Sequence, residues 1–242
     1  MTLHLRWSAL TDRGLLRGGN QDCMHAGPRL LAVADGMGGM AGGDVASRIA
    51  IEAIAPLDAA VDDDQAVEAL HKALEMANGR IADAAAEDPA LQGMGTTLTA
   101  VLFTGSQAAL AHVGDSRAYL LRDGELRQLT KDDTYVQLLV DQGVIQPEEA
   151  GSHPRRAVVT QALQGEPVNP AYVLVPPRAG DRWLLCSDGL TTVVSAGTIA
   201  AAMTEATEPE ECAQRLLDLA LRGGGPDNIT VIVADVAIEE PA

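Results

Sequence analysis

Three apolar runs in the middle of the chain, TLTAVLF at 97–103, AALAHV at 108–113 and RAYLLRDGELRQL at 117–129, are joined by only a few polar residues. Parallel neighbours need a crossover of a dozen or more residues, so these strands are expected to be antiparallel neighbours. Strands are predicted at 3–10, 29–34, 97–103, 107–113, 116–122, 171–175, 182–186 and 229–236. The segments LLAVA and TVIVADV are apolar on both alternating faces, as strands covered on both sides must be. Helices are predicted at 41–56, where Val45, Ile49 and Ala53 share a face, and at 63–86, where Val67, Leu70, Leu74, Ala77, Ile81 and Ala84 form a stripe. A third is predicted over about 208–222, with Thr207 and Glu210 as a capping box and the glycines before Pro226 as its stop. Antiparallel sheets with long helices on one face and a second sheet on the other make an α+β fold, a four-layer α-β-β-α sandwich. Residues 131–168 differ: VQLLVDQGVI looks helical, but Pro147, Pro154 and Pro167 interrupt the remainder, and the segment reads as a flap.

No linker or composition break divides the 242 residues, so 1–242 is expected to be one domain. Hydrophobic residues are 47% of the chain and aromatics 2%, which requires a core of Ala, Val, Leu and Ile in closely packed layers. No apolar run approaches the length of about 20 that a membrane helix needs, and MTLHLRWSALTD lacks the pattern of a signal peptide. A cytoplasmic location without membrane attachment is expected, and the end at VAIEEPA suggests a free domain. Three cysteines without a CxxC pair suit a reducing compartment. The net charge of −17 argues against a nucleic-acid partner. It would also repel a phosphorylated substrate unless cations at the site reverse the local potential.

Five aspartates, Asp22, Asp35, Asp115, Asp188 and Asp227, sit in what read as short polar turns at the edges of apolar segments: RGGNQD, LLAVADGMGG, ALAHVGDSRAY, WLLCSDGL and GGPDNITVIVAD. Singly, an Asp-Gly or Asp-Asn step is a turn. Delivered to one place, the carboxylates repel one another, and divalent cations are the natural way to hold them. The pattern points to a metal-dependent phosphate-ester hydrolase. A structural calcium site is disfavoured, because no D-x-D-x-D-G loop occurs. Cys23 and Arg29 in CMHAGPR fit the spacing of a CX5R phosphate loop, but a strand rather than a helix comes next, and Asp22 beside the thiol discourages thiolate formation.

With these residues in view, the chain resembles the PPM or PP2C-type metal-dependent protein serine/threonine phosphatases in their short bacterial form. The resemblance rests on SALTDRGLLRGGNQD at 8–22, ADGMGG at 34–39, GMGTTLTAVLF at 93–103 and HVGDSRAYLLRDG at 112–124, then in order LTKDDTYVQLLVDQG at 129–143, SHPRR at 152–156, CSDGL at 186–190 and GGPDNITVIV at 224–233. It implies that Asp35 bridges two Mn²⁺ or Mg²⁺ ions, that Gly36 offers its carbonyl to one of them, and that Asp22, Asp188 and Asp227 complete the carboxylate set. It implies further that Asp115 joins Asp188 at a third, weaker metal site, and that Arg17 grips the phosphoryl group. The implied reaction is hydrolysis of phosphoserine and phosphothreonine by a metal-activated bridging water. Met37 departs from the eukaryotic pattern, which has a histidine there as proposed general acid. His153 is the weak alternative, and His112, inside an apolar strand, reads as a core residue. A pseudophosphatase that only binds is disfavoured, since every expected ligand is present. The resemblance also implies a Hanks-type kinase as opposing partner, a substrate with a forkhead-associated domain, and a possible setting in type VI secretion.

Overall fold

The computed structural model describes residues 3–38 and 42–238. Its strands are β1 (Leu3–Asp12), β2 (Asp22–Ala26), β3 (Leu30–Met37), β4 (Gly95–Thr96), β5 (Leu98–Phe103), β6 (Ala108–Val113), β7 (Arg117–Arg122), β8 (Glu125–Gln128), β9 (Ala171–Val175), β10 (Arg182–Cys186) and β11 (Ile229–Ile238). The α-helices are α1 (Gly43–Ile54), α2 (Ala66–Glu87), α3 (Tyr135–Asp141), α4 (Pro147–Ala150), α5 (Asp188–Thr191), α6 (Ala196–Glu205) and α7 (Pro209–Arg222). One sheet runs β1-β11-β10-β7-β8 and the other β2-β3-β5-β6-β9, with β4 paired beside β3.

The two sheets pack face to face, with helices on both outer faces, so the four-layer sandwich is as expected. Alternation along two strands builds the layers. Leu30, Ala32 and Ala34 of β3 pack with Ile54, Leu70 and Leu74 of α1 and α2, while Leu31 and Val33 face the other sheet. In β11, Ile229, Val231 and Val233 pack with Leu216 and Ala220 of α7, and Ile232, Ala234 and Val236 meet Leu31 and Val33 between the sheets. Both strands are apolar on each face because each face is covered.

One pairing departs from expectation. β5 and β6 are antiparallel neighbours, but β6 and β7 belong to different sheets. Residues 114–116 carry the chain from one layer to the other, with Gly114 at φ +106° and the position of a would-be Cβ 2.5 Å from Thr97. A short connection excludes a parallel crossover but not a corner between packed sheets.

Helix boundaries also shift. Pro209 takes the first position of α7, where its missing N–H leaves no partner unmet, so the N-cap is Glu208 and not Thr207. Glu211 rather than Glu210 then reaches back, accepting from the Thr207 amide (3.0 Å) and hydroxyl (3.1 Å). The chain tightens into 3-10 turns at Ala55–Asp58 and Asp63–Gln65, trimming the helices predicted from 41 and 63; Ala41 lies outside the described residues. β2, β4, β8, α5 and α6 were not predicted; they are short or, in Ala-rich α6, weakly patterned.

In the flap, α3 ends at Asp141, and Pro147 opens a further helical turn rather than only interrupting. Both ends are tied to the body: Leu163 and Thr96 exchange backbone bonds of 2.9 and 3.0 Å, and the Gly114 amide donates to Asp133 Oδ2 at 2.9 Å. No helix among the described residues is long and apolar enough to cross a membrane.

Candidate metal centre

β2 and β3 pair in a register that sets Asp22 opposite Asp35. Like charges directly opposite are unfavourable in a sheet unless something compensates them. Asp35 is not in a turn, as its motif suggested, but inside β3, which runs on because Gly36 and Met37 pair with β4. Its amide donates to Thr97 Oγ1 (3.0 Å) and its carbonyl accepts from the Thr97 amide and the Thr96 hydroxyl (both 2.9 Å). The carboxylate therefore stands on a fixed backbone.

The other sheet supplies the opposite wall. Asp188 opens α5 directly after β10, and Asp227 lies just before β11. Gly189 is required where these segments meet, since a Cβ there would lie 1.9 Å from the Asn228 carbonyl oxygen. The corner between β6 and β7 brings Asp115. Arg17 arrives on the loop after β1, and its Nη2 donates to Asp227 Oδ2 at 2.5 Å.

Arg17, Asp35, Gly36, Asp115, Asp188 and Asp227 line one cavity of about 750 Å³. Asp22 lies behind its wall, where Oδ2 accepts from the hydroxyls of Ser187 and Thr230, both at 2.7 Å. Its Oδ1 is buried without a hydrogen-bond partner. The structure thus brings Arg17, Gly36 and the five aspartates of the motifs into or against one site. Sequence reasoning missed Asp44 in the first turn of α1, which also lines the cavity, and Ala157 and Val159, through which the flap contributes a wall. Asp44 had looked only like the start of a helix, and small apolar flap residues carry no chemical signal.

Burial, and after it mutual repulsion, dominates the electrostatics. Burial raises Asp35 well above the usual carboxylate range, reinforced by Asp22, Asp188, Asp115 and Asp227. It lifts Asp188 to about 7, helped by Asp115 and Asp227 and opposed by Arg17. Asp22 rises to about 6 for the same first reason, against the hydroxyl bonds that favour its charge. Burial likewise raises Asp115 to about 6, with Asp132 adding to it and Arg117 opposing. Folding without metal therefore leaves these groups protonated at pH values where the unfolded chain has released its protons. The native state binds more protons between the ordinary value of 3.8 and about 7, so metal-free stability falls as pH rises through that window. Thermal unfolding in chelator is expected to give a higher Tm at about pH 5 than at about pH 8. A metal-free Tm that climbs over this range would contradict the electrostatics described.

The residues fit a hard divalent cation. Every candidate donor is oxygen, one carboxylate oxygen is buried and unmatched, and a Cβ on Gly36 would lie 2.1 Å from the Gly43 carbonyl oxygen, so only glycine fits there. Among the described residues no three or more His, Cys, Asp or Glu side chains are drawn together closely enough to hold a metal ion by themselves. Carboxylates spread around an open cavity suit ions such as Mg²⁺ that keep part of their water shell.

The remaining candidates fall away. His112 is buried between Thr99 Oγ1 (2.8 Å from Nδ1) and the Lys131 carbonyl (3.0 Å from Nε2), a core residue as expected. His153 does not line the cavity; its ring lies 6.1 Å from that of Tyr135 and its Nδ1 accepts from the Arg155 amide. Cys23 sits in β2 rather than in a phosphate loop, and burial raises its thiol pKa.

The family model for protein phosphatase 2C matches residues 19–220, a span that includes Asp22, Asp35, Asp115 and Asp188. The chain belongs to the protein phosphatase 2C family. Within that family it is 56% identical over 239 residues to serine/threonine protein phosphatase PstP of Mycobacterium tuberculosis, covering 98% of this chain and 46% of PstP. It therefore spans just under half the length of that relative. Protein phosphatase PhpP of Streptococcus pneumoniae is 37% identical, covering 96% of this chain and 98% of PhpP. A crystal structure of the PstP catalytic domain in complex with two manganese ions superposes with a TM-score of 0.92 at 53% identity, covering 98% of this chain and 100% of that one. PppA, described as a key regulatory component of T6SS in Pseudomonas aeruginosa, superposes at 0.87 with 32% identity, covering 96% and 98%. The protein phosphatase 2C resemblance read from the motifs is therefore correct, and so is the sandwich it implied.

Proposed function

We propose that this protein phosphatase 2C chain hydrolyses phosphoserine and phosphothreonine in proteins with two Mn²⁺ or Mg²⁺ ions. The observation that supports it most is the convergence of Asp35, Asp188, Asp227 and Arg17 on one cavity, in a chain so similar to a phosphatase crystallised with two manganese ions. Asp35 is assigned to both ions, Gly36 to one through its carbonyl, and Asp22, Asp188 and Asp227 to the rest of the carboxylate set. Asp115 and Asp188 are assigned to a third, weaker site. When bound, such ions supply a water nucleophile at neutral pH and neutralise charge on the phosphoryl oxygens.

The chain's own residues do the positioning. The planar guanidinium of Arg17 can hold two phosphoryl oxygens at once, which a lysine could not. Its present bond to Asp227 keeps it at the cavity wall. Asp35 would hold its carboxylate toward the ions from a backbone that Thr96 and Thr97 fix. Met37 lines the cavity where eukaryotic members carry histidine, so the leaving serine or threonine oxygen does not take its proton from that position.

Residues 1–242 are read as one catalytic domain, with the flap at about 131–168 shaping access through Ala157 and Val159. The proposed setting is cytoplasmic, opposite a Hanks-type kinase, with a forkhead-associated-domain protein as a shared target. The likeness to PppA supports a role in type VI secretion as one such setting. Comparing phosphoproteomes of a deletion strain and its parent tests these partners.

Turnover of p-nitrophenyl phosphate and of phosphoserine, phosphothreonine and phosphotyrosine peptides, with Mn²⁺ and with chelator, tests the activity itself. Hydrolysis is expected to vanish with chelator, return with Mn²⁺, and favour the serine and threonine peptides. Undiminished hydrolysis in chelator would overturn the proposal.

A further inference from the structure

The loop that carries Arg17 has almost nothing apolar to hold it down. Arg13 and residues 15–19 are exposed, Leu15 and Leu16 at 65% and 74%. A loop this exposed, left without anchors, would let a phosphate-gripping arginine sample many positions, and orientation is a large part of what an active site supplies. Beside the Arg17–Asp227 ion pair and the Asn20–Thr11 bond, one buried side chain opposes this. Asn228, only 5% exposed, accepts from the Gln21 amide through Oδ1 and donates through Nδ2 to the carbonyls of Arg13 and Gly19, each at 2.8 Å. A single buried amide thus closes both ends of the loop across more than two hundred positions of sequence. Two backbone contacts run beside it: the Leu15 amide donates to the Gly225 carbonyl at 2.8 Å, and Gly14, at φ +75°, leaves no room for a Cβ, which would lie 2.1 Å from the Asp227 carbonyl oxygen.

We propose that Asn228 is a positioning residue for phosphate binding, a clamp that holds the Arg17 loop over the cavity without itself being needed to hold the metal carboxylates. This rests on the phosphatase reading above. The two functions separate because Asp22 is fixed by Ser187 and Thr230, Asp35 by Thr96 and Thr97, and Asp227 accepts from the backbone amide of Asn228 (2.8 Å) and not from its side chain. No other residue type does the same work in this space. Aspartate keeps the acceptor but presents a carboxylate to two carbonyl oxygens, and leucine keeps the volume but leaves three backbone groups unmatched.

The test is the Asn228→Leu variant of the whole chain. Inhibition by inorganic phosphate in Mn²⁺ is expected to weaken about tenfold, and trypsin is expected to cut after Arg17 about tenfold faster. Mn²⁺ affinity by calorimetry is expected to stay within about twofold, which a general loosening of the fold would not allow. Unchanged phosphate inhibition and unchanged cleavage would overturn the clamp, as would loss of phosphate and Mn²⁺ affinity in equal measure. Hydrogen exchange on the unaltered protein decides the matter if the variant does not fold. The Gln21 amide, bonded to Asn228, should be protected while those of Leu16 and Gly18 exchange freely; Gln21 exchanging as fast as Gly18 would sink the proposal. If the unaltered chain neither binds phosphate nor hydrolyses esters, the phosphatase reading fails, and cleavage and exchange still judge the clamp.

Discussion

Asp35→Asn is expected to lower kcat about a thousandfold at saturating Mn²⁺ while leaving the fold intact. The change preserves volume, and the backbone bonds that anchor residue 35 to Thr96 and Thr97 do not involve its side chain. What it removes is the carboxyl group whose ionisation Asp22, Asp188, Asp115 and Asp227 all oppose. The metal-free variant should therefore be at least as stable as the parent, because a neutral amide in that position relieves repulsion. Mn²⁺ should raise its Tm less than it raises the parent's, since the stabilisation by a bound ligand scales with its affinity. Measuring both Tm values beside turnover separates a catalytic loss from an unfolded enzyme. Near-parental turnover with saturating metal would remove Asp35 from the role assigned to it.

Arg182→Ala is expected to destabilise the fold strongly while leaving the site untouched. Arg182 is 8% exposed and uses all five of its N–H groups. Nε and Nη2 hold Asp235 at 2.6 and 2.8 Å, Nη1 reaches the Met203 and Ala206 carbonyls, and Nη2 reaches that of Thr207. One guanidinium thus neutralises a β11 carboxylate and caps the end of α6, whose last carbonyls have no helical partner. Removing it leaves a charge and three carbonyls unmatched in a partly buried place, a loss of about 3 kcal/mol. For a chain of this size that lowers Tm by roughly 6–12 °C, measurable by calorimetry. Activity well below the new Tm should be close to parental, because nothing in the cavity contacts Arg182. A Tm within about 2 °C of the parent would show that water replaces these bonds without loss.

The layers were legible because alternation survives in strands such as β3 and β11, where every other residue faces a different covering layer. The corner after β6 was not, because GDS between two apolar runs reads the same whether the chain doubles back or steps into the opposite sheet. The start of α7 was off by one position because proline geometry outweighed the Thr-x-x-Glu pattern. In the site, Asp residues beside glycine or asparagine stood out as a recurring type. Asp44 and Asn228 did not: the first doubles as an ordinary helix-start residue, and the second acts through an amide whose three partners are distant backbone atoms.

Asp22 and Asp35 come from one sheet, whereas Asp188 and Asp227 flank strands of the other. The ion-binding cradle therefore has no existence in either half alone and is completed only when the two halves dock. Contacts made that late contribute little to the folding transition state, so manganese should act chiefly as a brake on unfolding, lengthening the native lifetime while leaving the refolding rate nearly untouched.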